Sequence, residues 1–390
     1  MNANKRLFIA LISLFFFWAL AHNLNPILIA KLKDSFALSD TKAILVDSAF
    51  YIAYFIMALP SAQLINRLGY QKTILLGLGL FALGTLCFLP ASTYHSYLIF
   101  LSALLLIGLG ITMLEAAANP LITIISSDKQ QAYRLNLAQS FNGLGAVVAA
   151  GLGGYILLDE QDKQQPLQTY PFVVLSVCII LLMLLFNAIA FPTFVQEKTR
   201  EKKSTTSLFK SKPFRMAVLA QFFYVGSQIG VSSFFIRYMS EYFGQSVQQS
   251  AYLLSLSLVL FTGGRFIGSA LMRRWSADRI LLFFSVCAMF CAVGMLNVQS
   301  ISFYCILALP FFMSIMFPTI FALGIGPLEN NKELGGAWIV MTISGGAVIP
   351  YGMAQIAERS GQLSWCYLLP LLGFIMVAFF AFYYKRWCNE

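Results

Sequence analysis

The sequence predicts an all-α membrane protein of twelve transmembrane helices, built as two six-helix halves. Three observations predict it. Hydrophobic residues make up 59% of the 390 residues and charged residues only 11%, whereas a soluble domain runs to about a quarter charged. The apolar residues fall in runs of about twenty, the length of helix that crosses a bilayer's ~30 Å of hydrocarbon. The longest and most charged connection, residues 194–213, divides those runs six and six. Such long apolar helix suits only a lipid solvent, where every backbone group must be satisfied within the chain. An ordinary soluble enzyme, a disordered chain and a secreted disulfide scaffold are excluded.

The spans are expected over 7–31, 43–65, 73–91, 96–126, 134–157, 170–193, 214–239, 248–272, 279–298, 301–326, 334–357 and 364–386. The first reads as a retained helix rather than a signal peptide. It has no small-residue cleavage site and continues through His22-Asn23-Leu24-Asn25 into more apolar sequence. Two domains follow: a six-helix bundle over 1–193 and another over 214–390, joined by the basic linker 194–213.

The net charge of +10 has a plain source. Lys198, Arg200, Lys202, Lys203, Lys210, Lys212 and Arg215 cluster in and just after the linker. They read as a positive-inside cytoplasmic loop, not a nucleic-acid patch, because no interleaved aromatics accompany them. Nineteen of the 26 Lys and Arg residues fall on the side of this loop and six on the other, with Arg265 inside a span. That bias places both termini in the cytoplasm, in a bacterial inner (plasma) membrane. The chain is expected to be monomeric.

The halves repeat weakly at an offset of about 200 residues. Gly145-Ala146-Val147-Val148 parallels Gly346-Ala347-Val348-Ile349, and Asn119-Pro120 parallels Phe317-Pro318. Such duplication marks transporters with a site between their halves. The seven cysteines show no CxxC pair and read as small buried hydrophobes. No nucleotide loop, catalytic triad or metal cluster is seen, so no enzyme activity, cofactor or metal is expected, and the energy source is an ion or substrate gradient.

Ionisable groups within spans cost roughly 2.5–3.5 kcal/mol each and need a reason. Glu115 lies in mid-span 4, with Asn119 one turn later on the same face and Pro120 beyond it. An apolar cavity favours a neutral carboxyl, and water or a new partner releases its proton, so Glu115 reads as a proton carrier. The competing reading is a permanently protonated side chain that bonds neighbouring helices. Asn136, Gln139 and Asn142 recur on one face of span 5. Amides facing lipid would be costly, so this face points inward, either to bind sugar hydroxyls or to hold helices together. Span 7 offers Gln221, Tyr224 and Gln228, and span 1 offers His22, Asn23 and Asn25. Asp47, two turns into span 2, is either a second proton group or an acid favoured by the positive end of its helix. Arg265 in span 8 calls for an acid partner or a route to the interface.

Several segments resemble the bacterial fucose permease branch of the major facilitator superfamily. They are Ala21-His22-Asn23-Leu24-Asn25, Asp47-Ser48-Ala49-Phe50-Tyr51, Glu115-Ala116-Ala117-Ala118-Asn119-Pro120, the run Leu135 to Gly145, and in the second half Phe317 to Ile325 and Ile339 to Gly346. Asn66-Arg67-Leu68-Gly69-Tyr70-Gln71-Lys72 looks like a degenerate form of that superfamily's cytoplasmic gating loop. The resemblance implies a sugar:proton symporter working by alternating access, with Glu115 as its helix-4 glutamate and Asn23, Gln139 and Asn142 as sugar-contacting amides. The family's helix-1 aspartate falls on Pro26, which cannot carry a proton. The expected function is uptake of a monosaccharide, L-fucose or a related hexose, with protons. An uncoupled sugar facilitator and a drug or metabolite exporter of the same fold are the alternatives. The candidate proton groups are Glu115 and Asp47. The candidate sugar contacts are Asn23, Asn119, Asn136, Gln139, Asn142 and Gln228.

Overall fold

The computed structural model describes residues 3–35, 40–94, 96–157, 170–189, 191, 208–297, 300–328 and 331–389. Every regular element among them is helical. The helices are α1 (Ala3–Ser35), α2 (Asp40–Leu86), α3 (Phe88–Thr93), α4 (Tyr97–Ile124), α5 (Gln131–Leu157), α6 (Tyr170–Ala188), α7 (Lys212–Phe243), α8 (Val247–Leu271), α9 (Ala277–Leu296), α10 (Ser300–Met313), α11 (Met316–Ile325), α12 (Lys332–Met341), α13 (Gly345–Ser360) and α14 (Leu368–Asn389). Each of the twelve expected spans falls on helix. Among the described residues eight helical stretches are long and apolar enough to cross a membrane, and the first of them, Ile52–Thr93, carries two expected spans. Residues 194–207, most of the basic linker, lie outside the described residues.

The surface and interior have exchanged their usual chemistry. Phe290, Phe382, Val174 and Leu181 stand well exposed, while Glu115, Asn119, Asn136, Gln139, Gln221 and Arg265 are buried. Water would penalise such an outer face, whereas hydrocarbon favours it.

Helix ends use local chemistry. The Ser96 hydroxyl accepts from the Ile99 amide at the start of α4, and the Ser211 hydroxyl accepts from the Phe214 amide at the start of α7. Ser246 and Gln249 form a reciprocal capping box on α8.

Three connections depart from the sequence reading. The loop expected over 66–72 shrinks to one kink inside α2, at Gly69 (φ 84°, ψ 167°). A side chain is strained at that φ, and no atom stands within 4 Å of where a Cβ would sit, so the glycine serves backbone direction alone. Span 10, expected as one helix, breaks between α10 and α11 at Ser314-Ile315. Pro318 is the local cause, since it has no N–H to offer the Ser314 carbonyl four residues earlier. Span 11 is α12 and α13 with a tighter turn, Thr342–Ser344, between them.

The chain forms two compact units. The first contains residues 1–125 and 141–202, and the second contains residues 126–140 and 203–390. In the first, α4 packs along the second half of α2, where Gly110 lies against the backbone of Gly77 and Phe81. The Ser176 hydroxyl of α6 donates to the Thr85 hydroxyl of α2 over 2.7 Å. In the second, α7 is central. It packs against α13 and α14, where Gly345 and Gly373 lie against the backbone of Phe222 and Phe223.

Candidate functional site

In the first unit the inner part of α4 is buried all round, from Gly110 to Thr123 without interruption. Glu115 is 6% exposed and Asn119 is fully buried. Ala116, Ala117 and Ala118 between them are also fully buried. Small residues let neighbouring helices come close, so the carboxyl and the amide are enclosed without long side chains to crowd them. A helix through Pro120 lacks one internal bond, yet α4 continues for four more residues. The Thr123 hydroxyl donates to the Pro120 carbonyl over 2.7 Å and helps to satisfy the last turn.

Two sugar-contact candidates meet α1. The Asn23 amide nitrogen donates to the Ala19 carbonyl of its own helix over 2.8 Å. The Asn142 amide nitrogen, on α5, donates to the Phe15 carbonyl of α1 over 3.2 Å. Both side chains are half-buried. One turn beyond Asn142, Gly145 is pressed so closely on α1 that a Cβ would overlap the Phe16 carbonyl. The α1–α5 contact therefore depends on that glycine.

The second unit holds the other candidates. Asn136 is fully buried, and its amide nitrogen donates to the Thr319 hydroxyl (3.0 Å) and the Ala132 carbonyl (2.9 Å), with the Met272 sulfur at 3.5 Å. Its nitrogen is thus engaged in joining α5 to α11. Gln139 is 3% exposed, and its backbone carbonyl accepts from Arg265 Nη1 over 2.6 Å. Gln228 is half-buried on α7. Gln221, one face along, is fully buried, and neither atom of its amide has a hydrogen-bond partner among the described residues.

Arg265 is the least expected of the second unit's buried groups. It is 5% exposed, and its Nε donates to the Ser314 carbonyl over 2.9 Å while Nη1 reaches Gln139. The Phe261 ring lies beneath the guanidinium at 4.5 Å, a cation–π distance. The carbonyl that Pro318 leaves without a donor is the one that Arg265 takes. The neighbouring Met313 carbonyl accepts from the Tyr224 hydroxyl of α7 over 2.8 Å. Sequence reasoning offered Arg265 an acid partner or a route to the interface and did not consider these carbonyls. The usable signal was the proline four residues beyond Ser314. It also overlooked two enclosed carboxylates at helix starts. Glu333 is 3% exposed in the first turn of α12, and Asp278, 8% exposed, lies 3.5 Å from Lys385.

Asp47 lies on α2 and Pro26, with His22 and Asn25, on α1, but their side chains are outside the described residues. Among the described residues no group of His, Cys, Asp and Glu could hold a metal. Glu115 in the first unit offers a carboxyl that can take up and release a proton, and the amides of each unit are of a kind that can bond hydroxyl groups.

The profile of the Major Facilitator Superfamily matches residues 7–350. The chain is 35% identical to an L-fucose-proton symporter of Escherichia coli, over 96% of this chain and 92% of that protein. It is 33% identical to a glucose/galactose transporter of Brucella abortus, over 94% of this chain and 91% of that protein. A crystal structure of the E. coli fucose:proton symporter superposes with a TM-score of 0.89 at 33% identity, covering 98% of this chain and 99% of that one.

Proposed function

Because the chain belongs to the major facilitator superfamily, we propose that it is a secondary transporter, taking up a monosaccharide together with protons by alternating access. The sugar is L-fucose or a related hexose. The observation that carries the reading is Glu115, a buried carboxyl in the middle of a membrane helix with the Asn119 amide one turn away. A carboxyl kept there without a task is costly. The kinship with an L-fucose-proton symporter and a glucose/galactose transporter supports the substrate class and the coupling ion.

In this reading Glu115 takes a proton while the site faces outward and releases it inside. Asn23, Gln139 and Asn142 bind sugar hydroxyls, with Asn119 and Gln228 as further contacts. Asn136, whose nitrogen already bonds Thr319, serves helix packing more than sugar. The transporter works as a monomer in the bacterial inner membrane, with both termini and the basic linker 194–213 in the cytoplasm and the bundles 1–193 and 214–390 on either side of it. The charge bias supports that orientation.

Uptake of a panel of radiolabelled hexoses into proteoliposomes, with and without an imposed pH gradient, tests this. Accumulation of one hexose only when the outside is acidic is expected. No gradient-dependent uptake of any hexose would overturn coupling. A second reading rests on Pro26, where the fucose permease pattern has an aspartate: the protein is an uncoupled sugar facilitator. Sugar-induced alkalinisation separates the two. If it is absent in the native protein and appears in Pro26→Asp, the facilitator reading stands. If it is present and lost in Asp47→Asn, Asp47 is the substitute carrier.

A further inference from the structure

We propose that a groove on the outer face of the first unit, between the second half of α2 and α6, holds one acyl chain of an anionic phospholipid whose headgroup pairs with Lys72. The groove has a volume of ≈ 530 Å³ and is lined by Leu68, Lys72, Leu76, Gly79, Leu83 and Met183. Four of these, Lys72, Leu76, Gly79 and Leu83, recur every three or four residues along α2 beyond the Gly69 kink, so they form one stripe on one helix face. Leu76 and Leu83 are well exposed, so the stripe faces the surroundings and not the core. From Lys72 to Leu83 the stripe runs about 17 Å at 1.5 Å per residue. One leaflet contributes about 15 Å of hydrocarbon, so a single lipid tail fits along it.

The groove has distinct ends. The apolar end carries leucines alone. The other end carries Lys72 with Arg67 a few residues away, both exposed. A lysine there lays its stem along the leucines and lifts its ammonium to the headgroup level. No Asp or Glu occurs between residues 48 and 114, and none in α6, so neither the second half of α2 nor α6 brings a carboxylate to that cation. The carbonyl end of α6 would itself repel an anion. Gln71, beside Lys72, covers it: its amide nitrogen donates to the carbonyls of Phe186 (2.9 Å), Asn187 (3.4 Å) and Ile189 (3.2 Å). The carbonyls nearest the positive end of the groove are thereby occupied by a donor. Gly79 opens the middle, because a Cβ there would meet nothing within 4 Å.

The inference does not depend on the sugar reading, and its test does not measure transport. The full-length protein is purified from vesicles of phosphatidylglycerol and phosphatidylcholine in equal amounts, with identical acyl chains, and retained lipid is counted by native mass spectrometry. One retained lipid is expected, enriched in phosphatidylglycerol about fivefold, the effect of one lysine near an anionic surface. Lys72→Gln should bring that preference to unity while keeping a lipid. Gly79→Phe, whose Cβ would meet no atom within 4 Å and whose ring would occupy the groove, should lose the lipid. Retained lipid matching the bulk ratio in the native protein overturns the headgroup pairing. A lipid that survives Gly79→Phe, or a dimer mass that Gly79→Phe abolishes, overturns the assignment of this groove to a lipid.

Discussion

Two spans carry a proline in matching places of the two halves and treat it differently. In α4 the helix runs through Pro120 and stays one piece from Tyr97 to Ile124. In span 10 the helix stops at Met313 and restarts at Met316, with Pro318 inside the second piece. Each proline removes one helix donor. The difference lies in what waits outside the helix. Around Ser314 two strong donors come from neighbouring helices, Arg265 Nε and the Tyr224 hydroxyl, and they take the carbonyls of Ser314 and Met313. A helix can open where its backbone has other partners, because the cost of opening is an unmet buried carbonyl. Near Pro120 the side chains on the same stretch are alanines, Glu115 and Asn119. One span thus keeps its backbone whole around an acid. The other opens its backbone around a base.

Four sets of substitutions act on these two spans. Arg265→Ala strands the Ser314 carbonyl, at about 1–3 kcal/mol for the unmet group, and removes the cation–π contact with Phe261, while the Gln139 carbonyl keeps its place in the α5 helix ladder. Thermal unfolding of the detergent-solubilised protein should show a fall well beyond that of a substitution at an exposed apolar position, and Arg265→Lys should recover part of it. Tyr224→Phe strands the Met313 carbonyl alone and should cost about 1–3 kcal/mol in the same measurement. An unchanged melting temperature in both would show that span 10 opens without its donors.

Glu115→Gln tests the acid span. It keeps the shape and much of the hydrogen bonding, so sugar binding by calorimetry should stay near native. A gradient of one pH unit, able to sustain about tenfold accumulation through one coupled proton (~1.4 kcal/mol), should sustain none in the variant. Full accumulation would remove Glu115 from the mechanism. The smallest effect separates the prolines. Pro318→Ala returns an N–H to the Ser314 carbonyl, so in the Arg265→Ala background it should restore about 1 kcal/mol. Pro120→Ala in that background should restore nothing. Equal effects would mean that the two spans differ for some reason other than the donors.

The fold was legible because its main cause is local. Twenty apolar residues in a row specify a helix in lipid, and all twelve expected spans fall on helix. What escaped the sequence depends on partners distant in the chain. The break in span 10 needs Arg265, forty-nine residues away, and Tyr224, eighty-nine residues from the carbonyl it meets. The proline was visible, but the donors that make its break affordable were not. Asn136 shows the same limit. Its place on an inner face was legible, but whether its amide meets a ligand or Thr319 depended on how α11 packs. The collapse of the 66–72 loop onto Gly69 is the reverse case. The glycine was in view, and only its positive φ tells that it alone forms the connection.

The contact at Gly145 has a consequence for how such a transporter can change over generations. α1 is pressed on α5 at the Phe16 carbonyl, with the Ala19 methyl as the one side-chain group beside it, so the contact has no long side chain to trim. The spacing of the helices that carry Asn23 and Asn142 is therefore not an adjustable quantity, since even a methyl group at Gly145 would force them apart. A lineage acquiring a taste for a different sugar must exchange the groups that these helices display and leave the framework as it stands. New specificities in such a protein should arise as swaps of single polar side chains on an inherited scaffold, each reachable in one step.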